Sequence, residues 1–238
     1  MWDKVYYFVM VPMVYIAFGT FALGIILKLL KVLFSPSIKG SLGAFPRKAP
    51  MPAGILYEVF AMPAVFKKDK VLWIFLMAYH AAFGLLVLGH LELIREFRFL
   101  QIVPHEVFLG AGWVGIVLTI SVLYFLLRRF RSPYREISVP EDYLLLLLLF
   151  LTFVFGSHMH LAARYGIAGF DIPLDDYRAY LSSMVNFKPE LPAMITASPH
   201  YVIIMLHILF ANLFLMLFPF SKMIHSVFVF FTIAVKRK

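Results

Sequence analysis

Apolar residues fall along this chain in long blocks that contain no Asp, Glu, Lys or Arg, separated by shorter polar stretches. A helix of about 20 apolar residues crosses the roughly 30 Å hydrocarbon core of a bilayer. Blocks of that length stand at residues 5–27, 71–91, 107–127 and 143–163, and a longer one covers 191–221. In the last block Pro199 suits the first turn of a helix, where its missing N–H is not needed. The pattern therefore predicts helices at about 5–27, 71–93, 107–127, 143–163 and 199–221. The apolar run 223–235 is too short for a further span and reads as an inward extension of the last helix. The first block follows Met-Trp-Asp-Lys, lacks a basic leader and exceeds a signal-peptide core, so it is expected to remain as a span. The expected architecture is an all-α membrane protein, one integral-membrane domain over residues 1–238 built as a bundle of five transmembrane helices.

Composition supports the bilayer as the main solvent. Hydrophobic residues make up 62% of the chain and charged residues 15%, against about 45–50% and 25% in soluble domains. Cysteine is absent, which excludes disulfides, thiolate-held iron–sulfur clusters, zinc ribbons and thioether-attached haem. The net charge of +9 would raise nucleic acid as a partner of a soluble protein, but here it reads as topology. Lys28, Lys31, Lys39, Arg47, Lys48, Lys67, Lys68 and Lys70 fall between the first two blocks. Arg128, Arg129, Arg131 and Arg135 follow the third, and Lys222, Lys236, Arg237 and Lys238 follow the fifth. Basic residues accumulate on the cytoplasmic side of membrane proteins, so the N-terminus is expected outside and the C-terminus in the cytoplasm. The inner connection 29–69, with its five prolines, is expected to be mostly irregular and to offer a docking surface for a cytoplasmic partner. The outer segment 167–191 is too long for a tight turn.

Chemistry inside the spans rests on histidine, because ionisable residues there are costly and default to function. His80 and His90 lie on the second span, His158 and His160 near the outer end of the fourth, and His200 and His207 at the start of the fifth. His225 lies just beyond that helix, and His105 at the outer entry of the third. Neutral imidazole is a good iron ligand, and helix-bundle cores commonly house haem. The second and fifth spans run in opposite directions. His90 therefore falls level with His207 toward the outer face, and His80 with His225 toward the inner face, which predicts two bis-histidine haems. At about 1.5 Å per residue the first pair of histidines is separated by roughly 15 Å and the second by roughly 27 Å, so straight parallel helices do not fit. Pro219 is expected to kink the fifth helix. Gly84 and Gly89 remove bulk on the second span, either for a macrocycle or for close helix packing. Met159, Met205 and Met216 are candidate weak axial ligands whose ordinary reading is gap-filling, and His158 and His160 read as structural hydrogen-bonding residues, with a third haem ligand the alternative for one of them.

These residues carry a resemblance. The His-x9-His spacing at His80 and His90, and the stretch from His207 to His225 ending Leu217-Phe-Pro-Phe-Ser-Lys-Met-Ile-His225, resemble the gamma subunit of respiratory nitrate reductase, a five-span dihaem cytochrome b family. The resemblance implies that His80 and His225 ligate the inner haem b, and His90 and His207 the outer haem b. Phe66-Lys-Lys-Asp-Lys70, the connection 134–142 and Phe218-Pro-Phe-Ser-Lys222 resemble the membrane cytochromes of heterodisulfide-reductase-like complexes of sulfate reducers. That branch implies menaquinone or menaquinol as the membrane substrate and a heterodisulfide-reductase-like iron–sulfur subunit on the cytoplasmic face. It also implies a multihaem cytochrome c among the partners, in the inner membrane of a bacterium or archaeon. Nitrate-reductase relatives place a lysine near the quinol shortly after Pro-x-Glu-Val, whereas here Pro104-His-Glu-Val107 is followed by Phe108. His105 and Glu106 are the candidate quinone residues in its stead.

The resulting functional expectation is a membrane-anchoring electron-transfer subunit of a quinone-linked oxidoreductase. The alternative from another class is a non-haem transporter or scaffold with structural or metal-binding histidines. A secondary transporter is expected to show two similar halves and interrupted helices, and neither pattern is visible in the sequence.

Overall fold

The computed structural model describes residues 2–34, 52–95, 112–168, 170, 172–197 and 201–229. Every regular element among them is helical. Helices α1 (Trp2–Met10) and α2 (Pro12–Leu33) form one apolar stretch, and α3 (Pro52–Ala61) and α4 (Pro63–Lys68) are short. They are followed by α5 (Lys70–Ile94), α6 (Trp113–Arg129) and α7 (Pro140–Arg164). The chain then forms α8 (Leu174–Val185), α9 (Ala193–Ala197) and α10 (Tyr201–Leu217). Four stretches are long and apolar enough to cross a membrane: Trp2–Leu33, Lys70–Ile94, Pro140–Arg164 and Tyr201–Phe220. Helix α6, at the position of the predicted third span, has 17 described residues, about 26 Å of rise. The predicted start of that span, 107–111, lies outside the described residues, as do His105, Glu106, His200 and the extension 230–235.

The helices pack in the order α5, α6, α7, α10, α2. Helix α7 is thus flanked by α6 and α10, and α8 reaches back to α5. Two buried clusters hold this arrangement. One gathers Leu118 and Val122 of α6 with Leu145, Leu149 and Phe153 of α7, Tyr79 of α5 and Phe214 of α10. The other joins Tyr6, Val9 and Met10 of α1 to Tyr180 and Met184 of α8, Ile195 of α9 and Met205 of α10. Met205 is buried in this second cluster, with Met159 and Met216 packed against it, as expected of gap-filling methionines.

The inner connection differs from its expected irregularity, because residues 52–68 are largely helical. The prolines do not prevent this, since Pro52 and Pro63 each open a helix, the position that tolerates a missing N–H. The indole N–H of Trp73 donates to the carbonyl of Ala61 at 2.7 Å, tying the end of α3 to the first turn of α5. Asp69 caps α5 by accepting from the Leu72 N–H at 2.9 Å and pairs with Arg128 of α6 at 3.2 Å. The Leu72 N–H, followed by Arg128, holds the Asp69 carboxyl below the ordinary carboxylate value.

The outer segment is likewise organised by a helix, α8. The first span is not one uninterrupted helix, because it breaks at Val11 before Pro12. At the other end of the chain, α10 stops at Leu217 and passes through a 3-10 turn, Phe218–Phe220, into extended backbone at Ser221. A second 3-10 turn, Lys222–Ile224, precedes helical residues 225–229. The expected kink at Pro219 is therefore a full break, and residues beyond it do not continue α10 directly. Buried Pro219 sits against Gly24 of α2, where a Cβ would stand 2.5 Å from the Pro219 Cβ.

Candidate functional site

His90 on α5 and His207 on α10 approach each other, their ring centroids 6.5 Å apart and their planes inclined by 29°. Their helices have no extended contact among the described residues, since α6 and α7 lie between them in the packing order. The two imidazoles thus meet across a gap rather than within a helix–helix seam.

Each ring is oriented by a backbone carbonyl. His90 Nδ1 donates to the carbonyl of Leu86, one turn earlier, at 2.9 Å. His207 Nδ1 donates across to the carbonyl of Thr152 on α7 at 2.9 Å. The other two predicted ligands repeat the pattern: His80 Nδ1 to Leu76 O at 2.7 Å, and His225 Nδ1 to Lys222 O at 3.0 Å. A carbonyl only accepts, so in all four rings Nδ1 is the donor, which in a neutral imidazole leaves Nε2 as the nitrogen able to bind a metal. A carbonyl on the distal N–H is also the usual way in which a metal-ligating histidine is oriented and made more basic.

The separation of His90 and His207 tests whether haem iron fits between them. With nitrogen–metal bonds of about 2.0 Å and about 1.1 Å from ring centre to nitrogen, two imidazoles on opposite sides of one metal have centroids about 6 Å apart. The observed 6.5 Å agrees. Among the described residues no three His, Asp or Glu side chains converge as a cage for a bare ion. Structural zinc takes four protein ligands, whereas a bis-histidine haem asks the protein for two. The His90–His207 pair suits the second case.

The structure does not bring His80 and His225 into direct contact. His80 is exposed on α5, its ring edge-on to buried Tyr79 at 5.3 Å, and His225 is exposed after the broken end of α10. Gly84, one turn from His80, borders open space: a Cβ there would meet nothing within 4 Å. Gly84 is therefore no helix-packing glycine, whereas Gly89 is buried. His158 packs edge-on against Phe170 at 5.4 Å.

Two contributors from α7 were not singled out in the sequence. One is Thr152, whose carbonyl holds His207. The other is Gly156, where a Cβ would stand 2.9 Å from His207 Cε1 and 3.1 Å from Nδ1. The ring lies against the bare backbone of that turn. Glu92, two residues beyond His90, is buried at 4% exposure.

Residues 65–237 match the nitrate reductase gamma subunit family. A relative from Archaeoglobus profundus, the Hdr-like menaquinol oxidoreductase cytochrome b-like subunit, is 24% identical over 206 aligned positions. That alignment takes in 75% of this chain and 57% of the relative, so the chain spans little more than half the relative's length. With the family match covering most of the sequence, including His80, His90, His207 and His225, the chain belongs to the nitrate reductase gamma subunit family.

Proposed function

We propose that this chain is a dihaem cytochrome b subunit that carries electrons between menaquinol and an iron–sulfur partner on the cytoplasmic face. The observation that carries this reading is the His90–His207 pair, 6.5 Å between centroids with each Nδ1 bound to a carbonyl. His90 and His207 would hold the outer haem b, and His80 and His225, which share the same carbonyl-oriented geometry, the inner one. Haem so bound supplies one-electron transfer, and the protein tunes it through ligand basicity, burial and hydrogen bonding. Quinol oxidation also releases protons, and His105 and Glu106 are the proposed acceptors.

The proposal places the chain in the inner membrane of a bacterium or archaeon as a single five-span domain, N-terminus out and C-terminus in. The name of the Archaeoglobus relative supports menaquinol and a heterodisulfide-reductase-like assembly. Exposed Lys67 and Lys68 at the end of α4, with Lys70 at the start of α5, suit an inner-face partner with acidic contacts. A multihaem cytochrome c on the opposite face completes the proposed assembly.

Haem content tests the reading directly. The purified chain, produced with ample haem supply, should carry two low-spin b haems that added menaquinol reduces. His90→Ala and His207→Ala should each remove the same haem, and His80→Ala and His225→Ala the other. Two unaltered haems in any one variant would exclude that residue as a ligand. A colourless wild-type protein would overturn the proposal in favour of a transporter or scaffold.

A further inference from the structure

Asp142 sits in the first turn of α7, where a carboxylate ordinarily faces water while relieving unpaired N–H groups. It performs the capping task, accepting from the Val139 N–H at 3.1 Å, yet its side chain is only 4% exposed. The same oxygen, Oδ2, also accepts from Arg129 Nη1 at the end of α6 at 3.2 Å and from Lys222 Nζ at 2.9 Å. Burial of a carboxylate is tolerated when charge and hydrogen bonds compensate it. Here the compensation joins three parts of the chain: the end of α6, the start of α7 and the turn after α10. Arg129 is held in turn by the Ser138 hydroxyl at 2.9 Å, and its carbonyl accepts from the Tyr143 phenol at 2.8 Å.

The third arm reaches the inner histidine. Lys222 opens the 3-10 turn Lys222–Ile224, and its carbonyl accepts the His225 Nδ1–H at 3.0 Å. One residue therefore carries both the ion pair to α7 and the bond that orients the His225 ring. His207 sits within a continuous helix, but His225 follows a break and an extended residue at Ser221. The preceding turn is seated on α2 by Pro219 against Gly24. Asp142 supplies the corresponding tie to α7.

We propose that Asp142 is the positioning residue for the inner haem-binding imidazole, acting through Lys222 to fix the depth and direction of His225. The inference rests on the dihaem reading above, in that it needs His225 to be a ligand. It is tested with full-length, membrane-extracted Asp142→Asn, Lys222→Met and Lys222→Arg, followed by optical redox titration and low-spin haem signals. Asp142→Asn and Lys222→Met should weaken binding of the haem that His225→Ala removes by about 10–100-fold, the scale on which partners of metal ligands act. The other haem should keep its occupancy and potential, and Lys222→Arg, which preserves the cation, should retain both. Lys222→Met leaves the α6–α7 junction and its buried carboxylate in place, so it reports even where Asp142→Asn fails to fold. Two haems with unchanged potentials in Lys222→Met, or parallel loss of both, would overturn the proposal. Two intact haems in His225→Ala would instead overturn the ligand assignment on which it rests.

Discussion

At the scale of single residues, a glycine borders the His90–His207 pair. A methyl group at position 156 would stand 2.9 Å from His207 Cε1, well inside ordinary contact, and the ring cannot withdraw without stretching its 2.9 Å bond to Thr152. Alanine is the better helix former by about 1 kcal/mol, so Gly156→Ala separates two quantities that usually fall together. The fold should melt no lower than wild type while the haem proposed for His90 and His207 binds more weakly, and haem titration beside far-UV circular dichroism melting checks both. Unchanged outer-haem affinity would mean that the ring has room to move. The approach of His90 to His207 was legible in the sequence because imidazoles are conspicuous in spans almost free of other ionisable groups. Gly156 and Thr152 were not, since a glycine and a carbonyl become part of the site only when α10 is laid across α7.

At the scale of elements, apolar patterning located four of the five expected stretches as helices long and apolar enough to cross a membrane, and missed the interruption of the first. Hydropathy has no term for a break such as that at Pro12, because both sides of it are equally apolar. In lipid an unpaired carbonyl is expensive, and the structure meets two of them with distant side chains. The Tyr180 phenol donates to the carbonyl of Met10 at 2.6 Å, and Asn212 Nδ2 to that of Val9 at 3.3 Å. Tyr180 falls in the segment 167–191, of which the sequence shows only that it is too long for a tight turn. It lies on α8 and closes the junction of α1 and α2. Tyr180→Phe keeps the ring's packing but leaves a buried carbonyl unmet, a loss of about 1–3 kcal/mol. The expected result is a lower melting temperature in detergent with the haem spectrum retained. An unchanged melting temperature would show that another donor reaches Met10. The same blindness applied to the connection 52–68, where prolines read as breakers but occupy first turns.

At the scale of the whole molecule, the question is whether the charge asymmetry read along the chain becomes an asymmetry in space. Ion pairs supply the answer for one end. Asp69 with Arg128 joins the start of α5 to the end of α6, and Asp142 with Arg129 and Lys222 joins the end of α6 to the start of α7 and the turn after α10. Of the basic residues counted as inner in the sequence, Arg128, Arg129 and Lys222 are therefore joined at one end of the helices. Asp175 and Asp176 lie on α8, which packs with α1 and α9 in the other buried cluster. If the positive-inside bias sets orientation, the ion-paired end faces the cytoplasm. The absence of cysteine makes this directly testable, because a single introduced thiol is the protein's only one. Glu136→Cys marks the basic end and Lys188→Cys the opposite one, at exposed positions outside the apolar stretches. In right-side-out membranes a membrane-impermeant maleimide should label Lys188→Cys at once and Glu136→Cys only after permeabilisation. The reverse pattern would invert the orientation and place the His80–His225 end outside. Labelling of both positions from one side would mean that the helices between them do not carry the chain across the bilayer an odd number of times, and the five-span arrangement would fall with it.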